Sequence, residues 1–130
     1  MIAVVWQFSV KEGMESAFEE LYGASGEWTA LSRRSRSYLG SSFLRDAVEP
    51  NKYLVIEYWG EMLVYERHQE DFSDEIERLE RRRTDLLESG GPTGIFHALD
   101  VPDRTGPTWS RRTAPPRRPV VSAVRRDEEP

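Results

Sequence analysis

The stretch from Arg36 to Phe72 constrains this chain more than any other part of it. Tyr38-Leu39-Gly40 leads into Ser42-Phe43-Leu44-Arg45-Asp46, and Pro50-Asn51 precedes an apolar run, Tyr53-Leu54-Val55-Ile56, that closes on Glu57-Tyr58-Trp59. Two short runs rich in aromatic and β-branched residues, separated by turn formers, read as a hairpin with strands over 39–45 and 52–59. From residue 61 the apolar period changes: Tyr65, His68, Phe72, Ile76, Leu79 and Leu86 recur at three, four or seven residues. A hairpin followed at once by an amphipathic helix lays that helix back on the sheet, because each has one apolar face to cover.

The rest of the folded part fits the same plan. Ile2, Val4, Trp6, Phe8 and Val10 alternate with Ala3, Val5, Gln7 and Ser9, which is a strand with one strongly apolar face, and Lys11-Glu12-Gly13 is its turn. Met14, Ala17, Phe18 and Leu21 then fall at helical spacing. Gly23 and Gly26 interrupt the pattern and Trp28 and Leu31 resume it, so two helical pieces with a bend are expected. One continuous helix over 61–88 would be about 40 Å long, nearly twice a seven-residue strand. A break near 71–74 is expected instead, with Ser73 or Asp74 as the new cap and Asp74 and Glu77 at capping-box spacing. Gly90-Gly91-Pro92 should end this helix, and Gly94–Leu99 should form a short fourth strand.

The order is β-α-β-β-α-β, an α+β fold of the ferredoxin-like type: an antiparallel sheet with helices on one face. The other face and the strand edges are left open. A second copy of the chain packed sheet to sheet would cover both, so a homodimer is expected.

Residues 1–99 are read as one domain and 100–130 as a Pro/Arg-rich tail. Residues 1–100 carry 11 Lys and Arg against 19 Asp and Glu, a balance of −8; residues 101–130 carry 7 Arg against 4 acids, a balance of +3. An acidic folded part argues against nucleic acid as a partner, since phosphate contacts need clustered cations. Six prolines and only a small valine cluster in the last thirty residues leave the tail too little apolar surface to order itself, so it should be dispensable for folding. The chain has no cysteine, which fits a reducing compartment. Met1 to Phe8 is too short for a membrane span and lacks a basic leader region. A cytoplasmic protein with no membrane partner is the expectation.

No phosphate-binding glycine loop or nucleophile elbow is present, and with only His68 and His97 a histidine-rich metal site is not expected. His68 is the strongest single candidate for chemistry. It shares the apolar stripe of Tyr65, Phe72 and Ile76, should point at the sheet, and could act as a base near neutral pH. The plainer reading is a core-edge histidine satisfied by a backbone carbonyl. Trp6, Phe8, Trp28, Phe43, Tyr58, Trp59, Tyr65 and Phe72 are many rings for a hundred residues. They would suit a flat aromatic ligand if they line a space, or they fill a core. His97, on the last strand, is expected to be structural or at the dimer contact.

Four segments resemble the antibiotic biosynthesis monooxygenase (ABM) family of dimeric α+β barrels: Phe8-x-Val10-x-x-Gly13, Tyr38-Leu39-Gly40 with Leu44-Arg45-Asp46, Tyr53 to Trp59, and Tyr65-x-x-His68-x-x-x-Phe72. The resemblance runs from about Ile2 to Leu99. It implies an oxidoreductase that oxidises phenolic polycycles or quinols without cofactor or metal, a haem-degrading enzyme, or a small barrel that binds a ligand without turning it over. In the first class the resemblance makes Trp59 and Tyr65 site residues; the residue pattern itself adds His68 beside them as the base and Trp6, Phe8, Trp28, Phe43, Tyr58 and Phe72 as rings around a substrate. It also implies an Asn and an Arg where this chain has Val55 and, approximately, Leu79. In the haem class an Asn falls at Trp6 and the axial histidine near Arg78, so haem degradation is the less expected activity.

Overall fold

The computed structural model describes residues 1–99; the tail expected from residue 100 onward lies outside the described residues. The elements are β1 (Ile2–Val10), α1 (Glu15–Tyr22), α2 (Glu27–Ser32), β2 (Tyr38–Arg45), β3 (Lys52–Trp59), α3 (Met62–Asp71), α4 (Ser73–Leu86) and β4 (Leu87–His97). The four strands form one sheet in the order β2-β3-β1-β4, with every neighbouring pair antiparallel. This is the α+β arrangement expected from the sequence.

Alternation sets the register. Ile2 pairs with Trp59 and Phe8 with Tyr53 across β1 and β3, so the apolar phases of the two central strands coincide. Ile2, Val4, Phe8 and Val10 of β1 are buried on the helix side together with Tyr53, Val55, Glu57 and Trp59 of β3. Phe18, Leu21, Tyr22, Trp28, Leu31 and Leu79 close over one end of this face. Tyr65 closes over the other end, against Ile2, Val4 and Trp59. Trp6 packs against both groups.

The bend between α1 and α2 is a close backbone approach. Gly23 N–H returns to the Glu19 carbonyl at 2.8 Å, and a Cβ on Gly26 would lie 2.3 Å from the Leu21 carbonyl oxygen. The hairpin loop is tied by Asp46, whose Oδ1 accepts from the Val48 and Glu49 amides at 2.8 Å each.

Two expectations are corrected. The break between α3 and α4 falls where the sequence placed it, but neither Ser73 nor Asp74 caps the new helix. Phe72 occupies the junction, its amide donating to the His68 carbonyl at 3.1 Å and its own carbonyl accepting from Ile76 at 2.8 Å. Its ring packs on His68 and on the core, so burial of an aromatic turns the chain where a polar cap was expected. Asp74 and Glu75 lie within the first turn of α4, where the helix dipole favours them. The second correction concerns Gly90-Gly91-Pro92. These residues do not end the helix but lie inside an eleven-residue β4. Among the described residues that strand pairs only with β1, so a proline there costs no bond to a further strand of them. The ladder absorbs the irregular run by shifting register twice, between Val5 and Trp6 and between Ser9 and Val10.

Candidate functional site

A cavity of about 230 Å³ lies between the sheet and the helices. Its walls come from both ends of the helix-side core, since Trp28 and Leu31 belong to one packed group and Val4 and Tyr65 to the other. Trp6, held between the two groups, lines it from β1, and Pro92, Gly94 and Ile95 line it from the edge strand. The polar lining is Ser32, Glu57, Tyr65, His68, Gln69 and Glu80, and no lysine or arginine is among the lining residues. A larger hollow of about 480 Å³ runs past Gln7, Ser9, Leu44, Arg45 and Leu54 and gathers none of the catalytic candidates.

His68 is 5 % exposed, and the helical stripe that carries it turns it inward as expected. Its Nε2 lies 3.0 Å from the Leu31 carbonyl oxygen. A carbonyl can only accept, so neutral His68 carries its proton on Nε2 and keeps a lone pair on Nδ1. Nδ1 is buried and has no partner among the described residues. Nε2 is thus the backbone-satisfied nitrogen of the plainer reading, and Nδ1 is left with a lone pair. The ring sits between Trp59 and Phe72, with centroids 5.0 and 4.8 Å away.

Trp59 is completely buried and lies under the cavity rather than in its wall. It touches Tyr65 edge-on at 5.2 Å. Burial raises the Tyr65 hydroxyl to about 12, and the charges of Glu57 and Glu80 add to the shift. Tyr65 therefore stays a neutral phenol at physiological pH.

Of the aromatic residues expected around a ligand, Trp6 and Trp28 line this cavity. Phe8 and Phe43 are packed into the ring cluster around Phe18 and Tyr22. Phe72 backs His68 and carries the Arg34 guanidinium 4.3 Å above its ring. Tyr58 lies on the opposite face of the sheet, its hydroxyl 3.4 Å from Ser42 Oγ. Adjacent strand residues point to opposite faces, so Tyr58 and Trp59 cannot both face the helices. His97 is exposed at the end of β4, opposite Ile2. Val55 and Leu79, where the resemblance implies Asn and Arg, are both core residues, and Arg78 reaches outward to Glu27 at 3.5 Å.

Two buried charged residues were missed by reading the sequence. Glu57 is 4 % exposed on the inward face of β3. Its Oε1 accepts from Trp59 Nε1 at 3.0 Å and its Oε2 from Ser32 Oγ at 3.3 Å. Arg83 is 8 % exposed. Its guanidinium lies 4.8 Å from the Phe8 ring and 4.5 Å from the Trp28 ring, and NH1 donates to the Tyr22 hydroxyl at 2.7 Å. The signal for Glu57 was present, because it holds the same strand phase as Tyr53, Val55 and Trp59. Arg83 had a weaker signal, four residues after Leu79 on a helix crowded with arginines.

Burial holds the Glu57 carboxyl above the usual carboxylate range, against the opposing effects of Trp59, Ser32 and the Arg83 charge. The folded protein therefore binds this proton more tightly than the unfolded chain does. The resulting stabilisation is complete below the ordinary carboxyl value and is lost as pH rises through the folded value. Glu57→Gln is neutral at every pH and keeps an acceptor oxygen. Its melting temperature should exceed that of the unmodified protein most at high pH, and the gap should close toward about pH 4, where an unfolded glutamate takes up its proton. A gap that does not change between about pH 4 and 8 would show that ionising Glu57 costs the fold nothing.

Among the described residues no group of three His, Cys, Asp or Glu is placed to hold a metal ion, and no helix is long and apolar enough to cross a membrane.

Comparison with known proteins bears on the family and the fold. The family model of antibiotic biosynthesis monooxygenases matches residues 1–71. Among solved structures, SnoaB, a cofactor-independent oxygenase from Streptomyces nogalater, superposes with a TM-score of 0.58 at 22% identity, over 77% of this chain and 94% of that one. A Pseudomonas aeruginosa protein, PA3566, gives 0.57 at 22% identity, over 76% and 94%. A conserved protein from Methanosarcina mazei gives 0.58 at 16% identity, over 74% and 90%. At these identities the likeness carries the fold alone. No curated protein matches the sequence.

Proposed function

Because the chain belongs to the antibiotic biosynthesis monooxygenase family, we propose that it is a monooxygenase that uses dioxygen directly, without metal or flavin, to oxidise a small aromatic hydroxy or quinol compound. The cavity is the observation that carries this reading: a partly open space walled by Trp6, Trp28 and Tyr65, beside a buried histidine with a nitrogen unpartnered among the described residues. A phenolate or similar stabilised anion can pass an electron to dioxygen itself. The protein then has to orient the ring, exclude water and take one proton. His68 Nδ1 is the acceptor for that proton, and Tyr65, with Trp59 behind it, positions the substrate.

Size and charge narrow the substrate. A dry cavity of about 150 Å³ holds a benzene, so about 230 Å³ suits one or two fused rings. Glu57 and Glu80 in the wall, with no lysine or arginine among the lining residues, favour a neutral ligand that donates a hydrogen bond over one that brings a carboxylate.

Oxygen uptake should appear with α-naphthol, dihydroxynaphthalenes or hydroquinones and be weaker with the three-ring anthrone. His68→Ala should lower turnover by about a hundredfold or more. Uptake indifferent to His68→Ala would remove the histidine from the mechanism. A competing reading is a barrel that binds such a compound without oxidising it, favoured by Val55 and Leu79 standing where the resemblance implies Asn and Arg. Binding of α-naphthol with no oxygen uptake would establish that one.

The helix-free face of the sheet carries Val5, Leu54, Ile56 and Leu44, with Phe96 at the edge, and we infer that a second copy of the chain covers it. Sedimentation at micromolar concentration should report a homodimer; a folded monomer at every concentration would refute this.

A further inference from the structure

We propose that Glu57 is a second catalytic base of this cavity, the group that removes the ring C–H proton when a substrate hydroperoxide collapses to a carbonyl. The proposal rests on the monooxygenase reading above.

Glu57 stands between Val55 and Trp59 on the buried face of a central strand, where a carboxylate loses nearly all its hydration. Its hydrogen bonds come from two neutral donors, the Trp59 indole and the Ser32 hydroxyl, and it forms no ion pair among the described residues. Arg83, whose charge reaches it, is committed to the Tyr22 hydroxyl and the faces of Phe8 and Trp28. If Glu57 served only to tie α2 to β3, a neutral glutamine would do so without the cost of burying a charge. Glu57 also lines the cavity with His68, Tyr65 and Glu80. Trp59 joins the two proton acceptors, since its N–H holds Glu57 while its ring packs on His68.

Oxidation of a phenol to a quinone by one dioxygen needs two acceptors. His68 takes the hydroxyl proton, and the phenolate gives one electron to dioxygen. The radical pair joins at a ring carbon, forming a C–O bond, and His68 returns its proton to the outer peroxide oxygen. That carbon still carries a hydrogen. Glu57 removes it as a proton, the C–H electron pair forms the C=O bond, and the O–O bond breaks. The departing hydroxide takes the proton from Glu57 and leaves as water, so both side chains end as they began. Phenol and dioxygen become quinone and water, with no further oxidant or reductant.

The test is single-turnover mixing of the full chain with α-naphthol and dioxygen, following dioxygen loss and quinone absorbance separately. In Glu57→Gln, quinone formation should slow by at least about a hundredfold relative to dioxygen loss, so that a hydroperoxide accumulates. In His68→Ala, dioxygen loss itself should slow. Deuterium at the oxidised carbon should slow quinone formation in the unmodified protein, a readout that holds even if the glutamine variant fails to fold. Quinone that keeps pace with dioxygen loss in a folded Glu57→Gln protein, or that forms at the same rate from the deuterated compound, overturns this proposal alone. No oxygen uptake by the unmodified protein with any compound of the panel overturns the monooxygenase reading and this proposal together.

Discussion

Phe18→Ala is expected to lower the free energy of unfolding by about 3–5 kcal/mol. Phe18 is fully buried and sits at the centre of the helix-side core. Its ring centroid lies 5.5 Å from Phe8, 5.2 Å from Tyr22, 5.9 Å from Phe43 and 4.8 Å from Tyr53. It thus ties α1 to β1, β2 and β3 in one contact set. Truncation removes the transfer free energy of the ring and leaves a cavity that four large rings cannot close by small rotations. Against a typical domain stability of about 5–15 kcal/mol, that is a large share of the total. The exposed ion pairs on the helices, such as Arg34–Glu75 at 3.1 Å, are each worth about 1 kcal/mol or less. Urea unfolding should show a lowered midpoint with an unchanged slope. A loss below about 1 kcal/mol would mean that α1 is not anchored through this ring.

Gly90→Ala should be the most damaging exchange of a small residue, at about 3 kcal/mol or more. Gly90 has φ of +120°, which side-chain-bearing residues rarely adopt. A Cβ there would lie 2.3 Å from the Gln7 carbonyl oxygen and 2.7 Å from Phe8 Cα. Both are backbone atoms of the central strand, so no rotamer change relieves the clash, and β4 would have to leave β1 locally. Gly91 is the control, because a Cβ there meets nothing within 4 Å. Gly91→Ala should stay within about 1 kcal/mol of the unmodified protein. Equal melting temperatures for the two variants would show that β4 is free to slip past the clash. Because Pro92 and Gly94 line the cavity, the Gly90 variant should also lose ligand binding, a loss that Gly91→Ala should not show.

Much of the fold could be read from the amino-acid order because it rests on periodicity and punctuation. The alternation from Ile2 to Val10 settled β1 and its buried face, and the Tyr53 to Trp59 run with its preceding turn placed the hairpin. Gly23 and Gly26 marked the bend, and helix length against strand length located the break near Phe72. The inward turn of His68 followed from its stripe. These signals are local, since each depends on residues within one or two turns of chain.

What the sequence by itself determined, then, is an α+β domain with one aromatic-rich buried sheet face and a single histidine turned toward it. Tertiary structure decided the rest. Gly90-Gly91-Pro92 reads as a stop by local preference, yet β1 offers a full-length edge whose unpaired amides and carbonyls draw β4 through it with two register shifts. Phe72 turns the chain because its ring finds the core, which no capping pattern can announce. Glu57 and Arg83 are charged residues that local rules send to solvent; helices and strands packed together enclose them, and only that packing shows which hydroxyls and rings compensate the burial. The cavity exists only where two core groups meet around Trp6. Its histidine and its phenol share one turn of α3 and were legible as helical spacing, but its acid comes from β3 and its rings from β1 and α2, and that juxtaposition is a property of distances across the fold.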